Sequence, residues 1–188
     1  MKSTDTALEI AINQFNIADK ERKSDLIPLY AGLAIYWAQC VEKTLENMLI
    51  VKELSEKGTL TSEIVDQTFD KIENSKATMG KLVYEVKSTF SLNNEHTNQL
   101  KNVLEMRNYF VHRFFKVNSF KPYTETGQKE MIIECATFID DCRRIDKALA
   151  LYYEEYYLKA GLTEDRIGEL VLQAKQEEYD REQQHKKR

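Results

Sequence analysis

Arg107, Asn108 and His112 lie in one short stretch, LEMRNYFVHRFF, and their side chains together could act on a phosphate. A guanidinium is always charged and presents a planar fork of donors that matches phosphate oxygens. Arg107 could therefore hold a phosphoryl group and stabilise charge developing on it. An imidazole titrates near neutral pH, so His112 could give or take a proton. The Asn108 amide could orient His112 or donate to a phosphate oxygen.

Helical spacing places Arg107 among apolar residues. At ~100° per residue, Leu100, Leu104, Arg107, Val111 and Phe114 fall within roughly 40° of one line. Val103, Phe110 and Phe115 flank it. Asn108 and His112 are one turn apart and share an edge of this stripe, which Glu105 continues. A guanidinium in such a stripe is costly unless it is paired and hydrogen-bonded. Two readings follow. Arg107 is a structural arginine paired with a buried carboxylate such as Glu42, or the stripe faces a cleft and Arg107, Asn108 and His112 line a phosphate pocket.

The elements that position these residues read as helices throughout. The chain of 188 residues has only 6 Gly and 2 Pro, which favours long helices over many short strands. Ala7, Leu8, Ala11, Ile12 and Phe15 predict a helix over about 6–20. After the polar run DKERKSD, Pro28 is a good first-turn residue for a long helix that Gly58 can end. Its expected inner face is Leu29, Leu33, Tyr36, Trp37, Val41, Leu45, Met48 and Leu49. Short helices are expected from Thr61 to Ile72 and from Ala77 to Phe90. Asn93 or Asn94 caps the motif-bearing helix, which ends near Phe115.

The run KVNSFKPYTETG reads as a loop, with Pro122 and Gly127 as punctuation. A second long helix follows, from about Gln128 to Lys159, with Ile132, Cys135, Phe138, Ile139, Cys142, Ile145, Ala148, Leu149 and Tyr152 inward and Gly161 closing it. The last helix starts at Thr163. Leu170, Val171 and Ala174 suggest packing there, and the run KQEEYDREQQHKKR reads as a solvated end. The expectation is one all-α domain, 1–188, a bundle built on two long core helices with additional N- and C-terminal helices.

Charge and composition exclude some functions. A net charge of −4 gives no global attraction to nucleic acid, so any such site must be a local basic patch. No apolar run suits a signal peptide or a membrane span, which predicts a cytoplasmic protein. Cys40, Cys135 and Cys142 form no C-x-x-C pair and fit buried thiols in a reducing compartment. His96, His112 and His185 lack H-x3-H or H-E-x-x-H spacing, so no metal site is expected. There is no Gly-rich phosphate loop and no nucleophile elbow.

The run R-N-Y-F-V-H resembles the R-x4-6-H signature of HEPN domains (higher eukaryotes and prokaryotes nucleotide-binding), in which a polar residue, often Asn, follows the Arg. Arg107, Asn108 and His112 match in that order. The motif follows an amphipathic run, LKNVLEM, and precedes aromatics and a loop. WAQCVEKTL resembles the W-x4-E-x2-L texture of the first core helix of such domains. The resemblance extends over about 28–159, leaving the helices near 6–20 and 163–188 as additions.

The resemblance implies a metal-independent endoribonuclease without a cofactor. The RNA 2′-OH is the nucleophile, and the products are a 2′,3′-cyclic phosphate and a 5′-OH. It implies Arg107, Asn108 and His112 as catalytic residues; Glu42 and Glu105, read from position, are the candidate structural partners of the site. It also implies a homodimer whose cleft joins two copies of the motif, with Phe110, Phe114 or Phe115 shielded by the partner. The role implied is a prokaryotic stress, toxin-type or antiviral defence effector, with room for a regulatory protein partner. The alternatives are a non-catalytic HEPN-like module binding nucleotide, RNA or protein, and a helical scaffold with a structural Arg107.

Arg113, Lys116 and Lys121 are the nearest basic groups and the candidates for RNA backbone contacts. Some family members carry a Tyr two residues after the His, which a partner nucleotidyltransferase modifies. That position is Phe114 here. In LYYEEYYLKAG, two pairs of tyrosines one turn apart could stack RNA bases, but packing at a helix end is the preferred reading.

Overall fold

A computed structural model describes residues 5–57, 62–73 and 77–186. All the regular structure among them is helical: α1 (Ala7–Ile17), α2 (Lys20–Glu56), α3 (Ser62–Glu73), α4 (Met79–Thr89), α5 (Asn94–His112), α6 (Phe114–Val117), α7 (Glu125–Lys159) and α8 (Glu164–Lys186), with one 3-10 turn at Lys121–Tyr123. The fold is all-α. Among the described residues no helix is long and apolar enough to cross a membrane.

α2 and α7 are the frame. They run parallel, because residues of α2 meet residues of α7 at a nearly constant offset. Lys23 pairs with Glu125 at 2.7 Å, and Thr44 Oγ1 donates to Asp146 Oδ1 at 2.6 Å. α1 folds back over both. Its Ala7, Ala11 and Phe15, one turn apart, are buried, and Tyr30 of α2 donates its hydroxyl to Gln14 at 2.9 Å. The N-terminus of α1 is capped twice. Thr6 and Glu9 form a capping box, and the Asp140 carboxylate of α7 accepts the backbone N–H groups of Ala7 at 2.8 Å and Leu8 at 3.0 Å.

α2 starts earlier than its sequence suggests; its first half buries a different face, while Val41, Leu45 and Met48 further along are buried as expected. Asp19 caps it, accepting from the Arg22 N–H at 2.8 Å, and Pro28 lies inside the helix. An interior proline costs about 3 kcal/mol. Burial of Leu26, Ile27, Tyr30 and Ala31 around it offsets that cost. The inward face is then Leu26, Tyr30, Ala34, Ala38, Val41, Leu45 and Met48, while Leu29, Leu33 and Tyr36 are exposed. Alanines let α7 approach closely, and helical periodicity alone cannot rank an alanine stripe against a leucine stripe on the same helix.

α7 follows its expected face: Ile132, Cys135, Phe138, Ile139, Cys142, Ile145 and Leu149 are buried, and Ala148 and Tyr152 half-buried. It begins at Glu125, so Gly127 sits in its first turn instead of marking a loop. A Cβ on Gly127 would lie 2.3 Å from the Lys121 carbonyl oxygen, so this glycine permits a close backbone approach. The expected loop before it contains α6 and the 3-10 turn.

Asn93 caps α5 through the His96 N–H at 2.7 Å, and Gly161 leaves α7 at φ 70°. Gly58 and Thr61, expected at helix ends, lie outside the described residues. α8 is helical through Lys186 and Val171 is exposed on it, while the side chains of Leu170 and Ala174 lie outside the description.

Candidate functional site

α5 runs antiparallel to α7 and docks through aromatics. Phe110 stacks on Phe138 with ring centroids 5.0 Å apart, and Phe114 closes on Phe110 at 4.9 Å. Fully burying a ring of this size contributes about 1.5–3 kcal/mol. α5 ends at His112, and Arg113 (φ −132°) makes the break before α6. Phe114 is therefore not the end of the α5 stripe. It is buried from a separate short helix, and Asn118 ties that helix down. The buried Asn118 amide donates to the Phe114 carbonyl and to the Tyr109 hydroxyl, each at 3.0 Å. Tyr109 is held above its ordinary pKa, first by burial and then by the nearby Glu134 carboxylate. Nothing in the linear spacing marked Asn118 as the residue that fixes the motif's C-terminal end.

The remaining stripe opens toward solvent along the helix. Leu100 is fully buried, Leu104 and Arg107 are half-buried, and Val111 is 42% exposed. Helix length supplies the reason. α5 has 19 residues and α4 has 11. Gly80, the second residue of α4, packs at Leu104, where a Cβ on the glycine would sit 3.6 Å from Leu104 Cδ2. Arg107, Val111 and His112 therefore lie beyond the level of the first turn of α4, and Val111 and His112 are exposed.

Arg107 Nη1 donates to Asn108 Oδ1 at 3.2 Å. Among the described residues Arg107 forms no ion pair, so neither Glu42 nor Glu105 neutralises it. Glu42 is half-buried on α2. Glu105 instead lines a groove of about 410 Å³ between α5 and α7, with Asn102, Met106, Glu134, Phe138 and Asp141. The carboxylates on that groove would repel a polyanion.

Asn108 and His112 are exposed, and the His112 side chain makes no hydrogen bond or ion pair among the described residues. Five residues of helix turn the His112 direction ~140° from that of Arg107. The structure thus bonds Arg107 to Asn108, while His112, one turn beyond Asn108, points away from Arg107.

Arg113 and Lys116 are exposed beside the motif. Lys121 pairs with Glu130 at 3.1 Å, which compensates its charge. Phe110 and Phe114, expected to be shielded by a partner, are buried in the chain's own core. Phe115 is 53% exposed, and Val117, Phe120 and Tyr123 extend the exposed apolar surface.

The tyrosines near the end of α7 are half-buried. Tyr152 and His96 Nδ1 are hydrogen-bonded at 2.8 Å, Tyr156 meets Phe90 edge-on at 5.2 Å, and Tyr153 packs on Tyr157 at 5.2 Å. They act as packing groups at this helix end. Among the described residues no three His, Cys, Asp or Glu side chains form a group that could hold a metal ion. The His185 side chain lies outside the description.

No family model, curated protein or solved structure matches the chain.

Proposed function

We propose that this protein is a metal-independent endoribonuclease of HEPN type, working in the cytoplasm as a homodimer in prokaryotic defence or stress. The observation that carries the reading is Arg107. Its guanidinium is half-buried where the apolar stripe of α5 leaves the core, is bonded only to Asn108, and has no carboxylate to neutralise it among the described residues. A cation so placed attracts a phosphate, and the low-dielectric stripe beside it strengthens that attraction.

The chemistry needs few groups. Arg107 holds the scissile phosphate and stabilises the charge that builds on its equatorial oxygens. The 2′-OH of the preceding ribose attacks the phosphorus, and the bond to the 5′-oxygen of the next nucleotide breaks. His112 moves one of the two protons, leaving the 2′-OH or reaching the departing 5′-oxygen. Asn108 keeps the guanidinium aimed. Arg113 and Lys116 hold flanking phosphates.

The divergence of Arg107 and His112 on one helix supports a composite site. In it, the His112 of one protomer serves the phosphate held near the partner's motif, and the exposed surface around Phe115 and Phe120 forms the contact. The same divergence suits the second reading, a binding module without catalysis.

RNA cleavage in the presence of EDTA decides between them. The expected result is cleavage leaving 2′,3′-cyclic phosphate ends, abolished in a folded His112→Ala protein. Strict dependence on a divalent metal removes this mechanism. Tight RNA binding with no cleavage establishes the second reading.

A further inference from the structure

Cys40 and Cys142 play no part in the proposed chemistry, yet the register of the two long helices sets them opposite each other. The Lys23–Glu125 pair and the Thr44–Asp146 hydrogen bond both join residues 102 positions apart. Cys40 lies one turn before Thr44, and Cys142 lies one turn before Asp146. The cysteines therefore carry the same offset and occupy the same level of the α2–α7 contact. Thr and Asp have short side chains, so their 2.6 Å hydrogen bond requires the two backbones to approach closely one turn further on. At the neighbouring position, Arg143 of α7 stacks over the Trp37 ring of α2 at 4.5 Å, which also holds this level together.

The two thiols differ in access. Cys142 is fully buried, and burial first, then the Asp141 carboxylate, pushes its thiol up to about 12; the Cys40 sulfur also contributes to that shift. Cys40 is half-buried, one turn after the exposed Tyr36. The third cysteine, Cys135, is buried two turns away along α7.

We propose that Cys40 and Cys142 form a hydroperoxide-responsive pair that closes into a disulfide between α2 and α7. The Cys40 thiolate attacks the peroxide oxygen. An S–O bond forms and the O–O bond breaks, giving a sulfenic acid on Cys40 and, from hydrogen peroxide, hydroxide. The Cys142 sulfur then attacks the Cys40 sulfur. The S–S bond forms as the S–O bond breaks, and the Cys142 proton leaves with the departing oxygen as water. Overall, two thiols and one hydrogen peroxide give one disulfide and two waters. The link fixes the two frame helices to each other at one level.

The test treats the folded full-length protein with hydrogen peroxide and follows it by intact-mass spectrometry and peptide mapping without reductant. The expected product has lost two hydrogens and yields a linked peptide containing Cys40 and Cys142. Dithiothreitol reverses the change, and the linked protein melts at a higher temperature than the reduced one. Cys40→Ser abolishes the link and Cys135→Ser leaves it intact. Oxidation of Cys40 that stops at the sulfenic or sulfinic acid overturns the proposal. So does a link between Cys40 of two chains, or a link through Cys135. The wild-type peptide map gives this answer even if a cysteine variant fails to fold.

Discussion

The Arg107 guanidinium donates to the side-chain oxygen of its neighbour Asn108 at 3.2 Å, and among the described residues no carboxylate shares it. What the removal of Arg107 would strand distinguishes a functional arginine from a structural one. An arginine paired with a buried carboxylate strands that carboxylate when removed, at about 3–5 kcal/mol. Arg107 strands only an exposed amide, which water can satisfy. Arg107→Ala is therefore expected to melt within a few degrees of wild type and to lose RNA cleavage. Thermal denaturation beside one RNA assay measures both. A large fall in melting temperature would return Arg107 to a scaffold role.

Assembly is tested at the exposed end of the motif. Phe115 and Phe120 are solvent-facing in the single chain, whereas Phe110 and Phe114 fill its core. The protein is expected to be a dimer at micromolar concentration by light scattering. Phe115→Glu or Phe120→Glu is expected to shift it toward monomer without loss of helical content. A wild-type monomer in the absence of RNA rules out the composite site.

Asp140 ties α1 to α7 through the N–H groups of Ala7 and Leu8. Asp140→Ala removes both acceptors and is expected to cost about 1–2 kcal/mol, as loss of a helix cap does. For a chain of this size, that lowers Tm by roughly 2–8 °C. Asp140→Asn keeps an acceptor oxygen and should lose less. Equal melting of wild type and Asp140→Ala would show that the anchor contributes nothing.

Gly127 is expected to resist even alanine. The added Cβ would sit 2.3 Å from the Lys121 carbonyl, an atom of the backbone and not the movable end of a side chain. The 3-10 turn or the first turn of α7 must shift to admit it, at about 1–3 kcal/mol. Chemical denaturation of Gly127→Ala measures the cost. An unchanged midpoint would mean that the turn moves freely.

Part of this molecule could be read from its sequence. Scarce glycine and proline determined helices throughout. The seven-residue spacing of Cys135 and Cys142, filled in by Phe138, Ile139 and Ile145, determined the inward face of α7, because that helix has a single continuous apolar stripe. Asn93 and Gly161 marked helix ends through capping chemistry that depends only on local residues. The placement of Arg107 among apolar neighbours was also legible, because it follows from helical angle alone.

The tertiary structure decided whether that stripe is sealed or open. No local signal states that α4 begins at the level of Leu104, because that depends on where two helices start relative to each other in space. The same holds for α2. Its leucine face and its alanine face have equal periodicity, and the close approach of α7 selected the alanines. Lys121 was a free cation in the sequence, and folding placed it beside Glu130. Each of these outcomes comes from which surfaces meet, and periodicity along one helix carries no information about the length or position of its neighbour.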